Sequence, residues 1–162
     1  MESSSLFSIE SAPDQESTMN EASLSDTRYS VPSFRTAQPF RLQTTYVHLK
    51  DGGAAASVPV GPDFWGTIAS RTELHVGRLI TSCWIAKDLQ HWEMHPTGDE
   101  LLVLLSGKLD LVLQEGRSDR VVELDAGQAF LVPFGTWHRF LVKTPGELLF
   151  VTPGKGTQHR PL

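Results

Sequence analysis

The chain has 162 residues, a formal net charge of −5 at pH 7, 40% hydrophobic residues and one cysteine. This length allows one domain of ordinary size with its own core, plus a tail. A lone cysteine, Cys83, excludes an intramolecular disulfide and a thiolate zinc cluster, so a metal would need histidine and carboxylate ligands.

Charge and hydropathy also argue against two classes of partner. No run of Lys and Arg supplies the basic surface of a nucleic-acid-binding protein. No apolar stretch reaches the roughly 18 residues of a membrane span, and the N-terminus lacks the basic start and apolar core of a signal peptide. We therefore expect a cytoplasmic protein that binds neither nucleic acid nor membrane.

The first 36 residues have the composition of a disordered tail. They are rich in Ser and contain six acidic residues against two basic ones, with apolar residues that are scattered rather than periodic. The remaining residues, 37–162, carry 13 acidic and 12 basic residues and form the predicted folded domain. An interaction role for the acidic tail is open on composition alone.

Two short segments precede the main pattern. Residues 51–64, DGGAAASVPVGPDF, are typical of a loop because Gly and Pro interrupt every apolar run. Residues 62–71, PDFWGTIASR, favour a short helix with Pro62 at its beginning.

From Arg78 onward the pattern predicts short strands separated by turns. The apolar runs recur about every 8–12 residues, which indicates an all-β sandwich or barrel rather than βαβ units. The predicted strands are residues 79–85, 90–95, 101–106, 108–114, 120–124, 128–132, 138–142 and 146–152.

The strand LLVLLS, residues 101–106, is apolar on both faces. A strand that is wet on one side does not need this pattern. The strand is therefore either central between two sheets or covered at a subunit interface, and the second reading predicts a homodimer.

Ionisable residues cluster around the second and third predicted strands. Because alternate side chains of a strand share a face, His91, Glu93 and His95 point to one side. Glu100 follows the turn PTGD and lies within reach of that face if the two strands pair as a hairpin. His138 begins a later strand.

These segments resemble the paired motifs of the cupin family, G-x5-H-x-H-x3–4-E-x6-G and G-x5-P-x-G-x2-H-x3-N. In this chain they read Glu93-x-His95-x4-Glu100-x6-Gly107 and Gly127-x5-Pro133-x-Gly135-x2-His138-x3-Val142. Glu93 stands where most metal-binding cupins have histidine, Val142 stands where asparagine is frequent, and Lys87 stands at the first glycine.

The resemblance implies a jelly-roll β-barrel with a metal site. By this resemblance His95, Glu100 and His138 occupy ligand positions, and Glu93 occupies the fourth. Glu93 either binds the metal or orients a histidine ring. A second alternative for the set is a hydrogen-bonded polar cluster that binds no metal.

Charge supports a divalent ion. Ionised Glu93 and Glu100 with neutral histidines carry −2, which neutralises one divalent cation, whereas without it two nearby carboxylates would repel. The mixed nitrogen and oxygen ligands suit Fe²⁺, Mn²⁺, Ni²⁺ or Zn²⁺. Two carboxylate donors favour the higher oxidation state and so O₂ chemistry.

Other side chains near the motifs have ordinary interpretations beside functional ones. His91 lies at the rim on the metal-facing side, and Phe140 and Val142 share the face of His138, so these three are candidate substrate-pocket residues. Asp99 is a turn residue or a base. The remaining aromatic residues either line a pocket or fill the core: Trp84, Trp92, Trp137, Phe130 and Phe134. The isolated histidines are interpreted as ordinary surface or core residues: His48, His75 and His159.

The favoured function is a metal-binding cupin that acts on or binds a small organic molecule in the barrel, as a mononuclear dioxygenase or an isomerase. The alternative is a non-enzymatic ligand-binding or sensor module that uses the same cavity. A serine hydrolase is excluded because no G-x-S-x-G pattern is present, and no glycine loop could cradle a phosphate.

Overall fold

A computed structural model describes residues 38–162, and within this range the chain forms strands, one short α-helix and two 3-10 turns. The expected tail at residues 1–36 lies outside the described residues. The strands are β1 Thr45–Leu49, β2 Ala55–Pro59, β3 Arg78–Ile85, β4 His91–Met94, β5 Glu100–Leu104, β6 Lys108–Glu115, β7 Ser118–Asp125, β8 Ala129–Val132, β9 His138–Thr144, β10 Gly146–Pro153 and β11 Gln158–Pro161. Helix α1 spans Phe64–Thr67, and the 3-10 turns span Ile68–Ser70 and Thr72–Leu74.

The strands form two antiparallel sheets that pack face to face as a jelly-roll barrel. The six-stranded sheet has the order β2-β1-β3-β10-β5-β8, and the five-stranded sheet has the order β11-β4-β9-β6-β7. Most neighbours in each sheet are distant in sequence, as in double-sheet jelly rolls. The prediction of an all-β barrel is confirmed.

All eight predicted strands are present as β3 to β10, with ends that differ by at most two residues. The loop prediction for residues 51–64 is wrong in part, because β2 lies inside it and pairs with β1. Strand β2 gave no clear signal since only Val58 of its five residues is buried. Strands β1 and β11 were not predicted either, and residues 62–71 form α1 and a 3-10 turn instead of one helix.

The core consists of two apolar clusters between the sheets. The larger one is centred on leucines from the inward faces of β5, β6 and β10, of which Leu109 and Leu111 are fully buried. The smaller one joins the segment before β3 to the barrel and contains Tyr46, Val58, Phe64, Leu74 and Leu79. The residues before β3 therefore complete the barrel interior.

The turn between β5 and β6 requires glycine. Gly107 has φ of +87°, which L side chains rarely adopt, and an added Cβ would lie 2.6 Å from the Thr144 carbonyl oxygen. Gly127 and Gly135, the other two glycines of the motifs, also have positive φ. The three motif glycines thus set turn geometry. No helix within residues 38–162 is long and apolar enough to cross a membrane.

Candidate metal centre and cavity

The four predicted ligand residues come from both sheets. Glu93 of β4 lies directly opposite His138 of β9 in the five-stranded sheet, and His95 follows β4. Glu100 begins β5 in the six-stranded sheet, so the expected hairpin between its strand and that of Glu93 is wrong. Glu100 faces the histidines across the barrel interior because the connection after β4 crosses from one sheet to the other.

The turns that precede β5 and β9 are joined by hydrogen bonds that involve backbone and side-chain groups. The Gly135 N–H donates to the His95 carbonyl oxygen over 2.8 Å, and the Phe134 N–H donates to Asp99 Oδ1 over 2.9 Å. The Arg78 guanidinium donates to the Asp99 carbonyl oxygen. These bonds hold the two motifs together, and they use the Asp99 carboxylate as a structural acceptor.

The buried centre of the cluster is the Glu100 carboxylate. Its Oε2 lies 3.1 Å from His138 Nε2 and 3.2 Å from His95 Nε2, and its Oε1 accepts a hydrogen bond from Thr152 Oγ1 over 2.6 Å. Glu100, His95 and His138 are each only 2% exposed. Ligands about 2.1 Å from one metal ion and at right angles to each other are about 3 Å apart, so these spacings suit atoms that share an ion.

Glu93 lies at the open side of the same cluster. Glu93, His95 and His138 each place one ligand atom within 4.8 Å of the other two. The Glu93 side chain is 24% exposed, its Oε1 is 3.9 Å from His95 Nε2, and it is closer, at 3.4 Å, to His159 Nε2. Glu93 is thus within reach of the cluster and is also paired with a residue outside it.

Hydrogen bonds at the Nδ1 atoms orient both histidine rings. His138 Nδ1 lies 3.2 Å from the Thr136 carbonyl oxygen, which only accepts, so Nδ1 is the donor. The Nε2 lone pair of a neutral ring would then face Glu100 Oε2, and this arrangement requires a proton or a cation between the two atoms. His95 Nδ1 contacts the Thr157 hydroxyl at 3.0 Å, which directs its Nε2 to the same place.

The electrostatics of the cluster favour charge separation. Burial raises the pKa of Glu100, but the His138 and His95 imidazoles outweigh burial and lower this pKa from 4.5 to about 2. Burial also lowers the pKa of His138, but the Glu100 carboxylate outweighs it and raises this pKa above the usual 6.5. Glu100 is therefore ionised at neutral pH and stabilises positive charge beside it.

One buried nitrogen tests whether the residues fit a metal ion. His95 Nε2 is inaccessible and has no hydrogen-bond partner among the described residues, since Glu100 Oε2 lies near it but off the direction of a hydrogen bond. Leaving such a group unpaired typically costs about 1–3 kcal/mol. A cation between His95, His138 and the two carboxylates would satisfy this nitrogen, so the donor set fits a divalent metal.

A cavity of about 830 Å³ reaches the cluster from the open end of the barrel. Glu93 and Glu100 line it, as do the predicted pocket residues His91 and Phe140. Val142 is not among the lining residues and packs against the larger apolar core cluster. It lies one further step along β9, toward the closed end of the barrel.

The remaining aromatic residues divide between core and surface. Trp84 and Phe134 are exposed by 64% and 67% and lie outside this cavity. Trp92 and Trp137 stack with the Arg160 guanidinium instead of lining the cavity. Phe130 packs against the larger core cluster.

Two histidines interpreted as ordinary residues line the cavity. His159 of β11 lies opposite Glu93 in the sheet, 3.4 Å from its carboxylate, and its ring contacts His91 edge to face. His75 lines the cavity from the segment before β3. No signal in the sequence identifies them, because their positions depend on strands β1 and β11. His48 is a buried core residue that contacts the Val76 carbonyl oxygen, as predicted.

Comparison with known proteins gives one family match. A family model described as a cupin domain matches residues 86–160, which include all four candidate ligands, His91 and His159. No curated protein matches the chain.

The similar solved structures share low identity with this chain. A cupin-2 domain protein from Shewanella frigidimarina is 18% identical, with a TM-score of 0.41 over 47% of this chain and 70% of the other. Hydroquinone 1,2-dioxygenase from Sphingomonas, solved with 4-hydroxybenzoate bound, is 20% identical, with a TM-score of 0.42 over 46% and 58%. Hydroxypropylphosphonic acid epoxidase from S. wedmorenis is 16% identical, with a TM-score of 0.41 over 46% and 43%. The match spans less than two thirds of either enzyme.

Proposed function

Since residues 86–160 of this chain match a cupin-domain family model, we propose that Glu93, His95, Glu100 and His138 bind one divalent metal ion and that a small organic molecule binds beside it in the cavity. The observation that supports this most strongly is the buried His95 Nε2, which lies 3.2 Å from the Glu100 carboxylate but has no hydrogen-bond partner among the described residues. A set of two carboxylates and two neutral imidazoles would neutralise the ion.

The proposed metal is Fe²⁺, Mn²⁺, Ni²⁺ or Zn²⁺, because all four accept mixed imidazole and carboxylate ligands. When bound, such an ion would polarise a substrate oxygen or activate O₂. Thr157 and the Thr136 carbonyl oxygen orient the imidazoles, and Thr152 orients the Glu100 carboxylate. Glu93 completes the set where the cavity begins.

We propose a metal-dependent dioxygenase or isomerase activity for the loaded protein. The two histidines at the cavity wall, His91 and His159, are the side chains placed to exchange a proton with a bound molecule. A non-enzymatic ligand-binding module is the second candidate. This second candidate is favoured because the Asp99 carboxylate accepts a hydrogen bond from the Phe134 N–H and is therefore not available as a catalytic base.

Metal analysis tests this proposal. Protein purified without added metal would be examined by elemental analysis and then titrated with each of the four ions. We expect one ion per chain and loss of binding in His138→Ala, with binding retained in His91→Ala, which removes a histidine at the rim. Wild-type protein that binds none of the ions with a dissociation constant below about 1 mM would refute the metal site and the enzyme with it.

We also propose a homodimer that covers the outer face of the six-stranded sheet. Outward-facing side chains form an unbroken apolar row across five strands: Val47, Ile80, Val151, Leu101 and Leu131. A second row contains Leu149 and Val103, and Leu131, Leu105 and Trp84 are at least 48% exposed. Contiguous apolar surface of this kind marks an interaction site.

A second copy of the chain suits this face because of its charge. In a two-fold interface the same patch lies on both subunits, so charged residues near the axis would meet their own kind. Glu147 is the acidic residue among these rows, and its Oε1 accepts hydrogen bonds from Ser82 Oγ, over 2.6 Å, and from Gln43 Nε2. The face is therefore apolar and self-compatible.

Light scattering or sedimentation tests the dimer. We expect a dimer at micromolar concentration, and a monomer for Leu131→Glu. The matched control is Val121→Glu, since Val121 is similarly exposed, at 56%, on the outer face of the other sheet. A monomeric wild type, or the same effect from both substitutions, would contradict the assignment.

The lone, exposed Cys83 supports a reducing cytoplasmic location, which cell fractionation would test.

A further inference from the structure

The cavity has two ends of different chemistry. One end is lined by Glu93 and Glu100, which belong to the proposed metal site. The far end is built by the segment before β3 together with β1 and the beginning of β3. Its walls are mostly apolar or aromatic and include Tyr46, Trp65, Ile68, Leu74 and Leu79, with His75 beside Leu74.

The far end is pre-formed by packing within this segment. The Tyr46 and Phe64 rings meet edge to face at 5.1 Å between centroids, and Phe64 meets Trp65 in the same way at 5.2 Å. Gly154, at the end of β10, makes room for this segment, since an added Cβ would lie 1.9 Å from the Leu74 carbonyl oxygen. The apolar wall is thus held against the barrel rather than attached loosely to it.

The cavity contains no lysine or arginine among its lining residues, all of which lie in the described part of the chain. Its basic side chains are the histidines His75, His91 and His159. The two lining carboxylates would be neutralised by the metal ion. A carboxylate or phosphate group in the far end would lose hydration without gaining a lysine or arginine counter-ion, which is unfavourable. An ammonium group would likewise lack a counter-ion once the metal neutralises the two carboxylates.

From this lining we infer that the ligand is an uncharged, predominantly apolar organic molecule with one oxygen donor. Its apolar body would fill the far end against Ile68, Leu74 and Leu79, and its hydroxyl or carbonyl oxygen would point to the metal residues. A volume of about 830 Å³ is within the range of cavities that enclose drug-sized ligands. The position of the oxygen and the exclusion of a cationic body rest on the proposed metal function, whereas the exclusion of an anionic body does not.

Three molecules of similar shape test the preference: cyclohexanol, cyclohexanecarboxylate and cyclohexylammonium. Binding would be measured by titration calorimetry, and by the fluorescence of Trp65 at the cavity wall, in Zn²⁺-loaded and metal-free protein. We expect cyclohexanol to bind Zn²⁺-loaded protein at least about 10-fold more tightly than cyclohexanecarboxylate or cyclohexylammonium does. Carboxylate binding as tight as that of the alcohol would overturn the inference.

A charge placed at the far end gives the second measurement. Ile68→Lys should weaken alcohol binding about 10-fold or more and strengthen carboxylate binding, because it supplies the missing counter-ion. Val121→Lys, on the outer face of the five-stranded sheet, is the matched control and should change neither. Where Ile68→Lys does not fold, Trp65→Lys places the charge at a side chain that is 59% exposed.

The outcomes separate this inference from the proposed metal function. If the protein binds no metal but the metal-free form prefers the alcohol to the carboxylate and Ile68→Lys reverses that preference, the metal function fails and the ligand class stands. If metal binds as proposed but Ile68→Lys leaves alcohol binding unchanged, the metal site stands and the ligand class is wrong.

Discussion

The barrel interior is apolar at one end and polar at the other, although the same strands supply both ends. Along β5 the inward side chains run from Glu100 to Leu102 and Leu104, and along β9 they run from His138 to Phe140. The leucines are buried in a closed core, whereas Glu100 faces the cavity. Strand alternation thus decides which residues point inward, and distance along the strand decides whether they meet a core or a site.

The two ends also contribute to stability in different ways. Burial of the leucines at the closed end stabilises the fold through the hydrophobic effect. The polar end buries a carboxylate and two imidazoles and leaves His95 Nε2 without a hydrogen-bond partner. We expect substitutions at the closed end to change unfolding and substitutions at the polar end to change metal binding.

The largest expected effect is at the polar end. His95→Ala should reduce metal affinity at least about 1,000-fold, equivalent to about 4 kcal/mol, because it removes one of the two proposed nitrogen ligands. The matched control is His48→Ala, since His48 is equally buried but contacts the Val76 carbonyl oxygen instead of the cluster. His48→Ala should lower stability and leave affinity intact, which metal titration and denaturant unfolding would measure. If His95→Ala binds metal as tightly as wild type, the motif alignment is wrong.

At the closed end, Leu111→Ala should lower the free energy of unfolding by about 2–5 kcal/mol. Leu111 is fully buried in the larger core cluster, so its truncation leaves a cavity as well as losing apolar burial. Metal affinity of the folded protein should not change. Denaturant unfolding of the metal-free protein measures the free energy of unfolding, and a metal titration measures the affinity. A large loss of affinity in this variant would show that the two ends are coupled.

The role of Glu93 sharpens the boundary of the site. Glu93→Gln keeps the size of the side chain and removes its charge, so a loaded site would carry +1 and affinity should fall more than about 100-fold if Glu93 binds the metal. A loss within about 10–100-fold would assign it an orienting role. His159→Gln removes the partner of Glu93 at 3.4 Å. This substitution should lower metal affinity about 10-fold, as measured by metal titration. Unchanged affinity would show that β11 only covers the site.

The smallest expected effect is the pH dependence of the metal-free protein. Glu100 has its pKa lowered from 4.5 to about 2, so its contribution to stability is present above pH 4.5 and is lost as the pH falls toward 2. His138 has a pKa raised above 6.5, so its contribution is full below pH 6.5 and is lost as the pH rises through the folded pKa.

The two residues should together stabilise metal-free protein most between pH 4.5 and 6.5. Denaturant unfolding across this range measures the effect, and Glu100→Gln should flatten the profile. Bound metal should reverse the trend above pH 6.5, since metal binding displaces the proton from His138. Metal-free stability that rises steadily above pH 6.5 would contradict the pairing of these residues.

Much of the barrel could be predicted from the sequence because its signals are local. Turns at glycine and proline separate short apolar runs, and each run became a strand from β3 to β10. Strands β2 and β11 were missed since they are short and bury at most one side chain, Val58 in β2. Strand β1, which buries Tyr46 and His48, was missed although its side chains alternate. Their formation depends on pairing with strands far away in the chain rather than on their own composition.

The candidate site divides in the same way. The sequence alone determined which side chains face the interior and which turns precede them, through the spacing around His95 and His138 and through strand alternation. The tertiary structure alone decided that Glu100 approaches from the opposite sheet, that His159 lies beside Glu93, and that the segment containing Trp65 and Ile68 walls the cavity. These contacts arise when two sheets bury complementary apolar faces, and such long-range packing has no local signal in the chain.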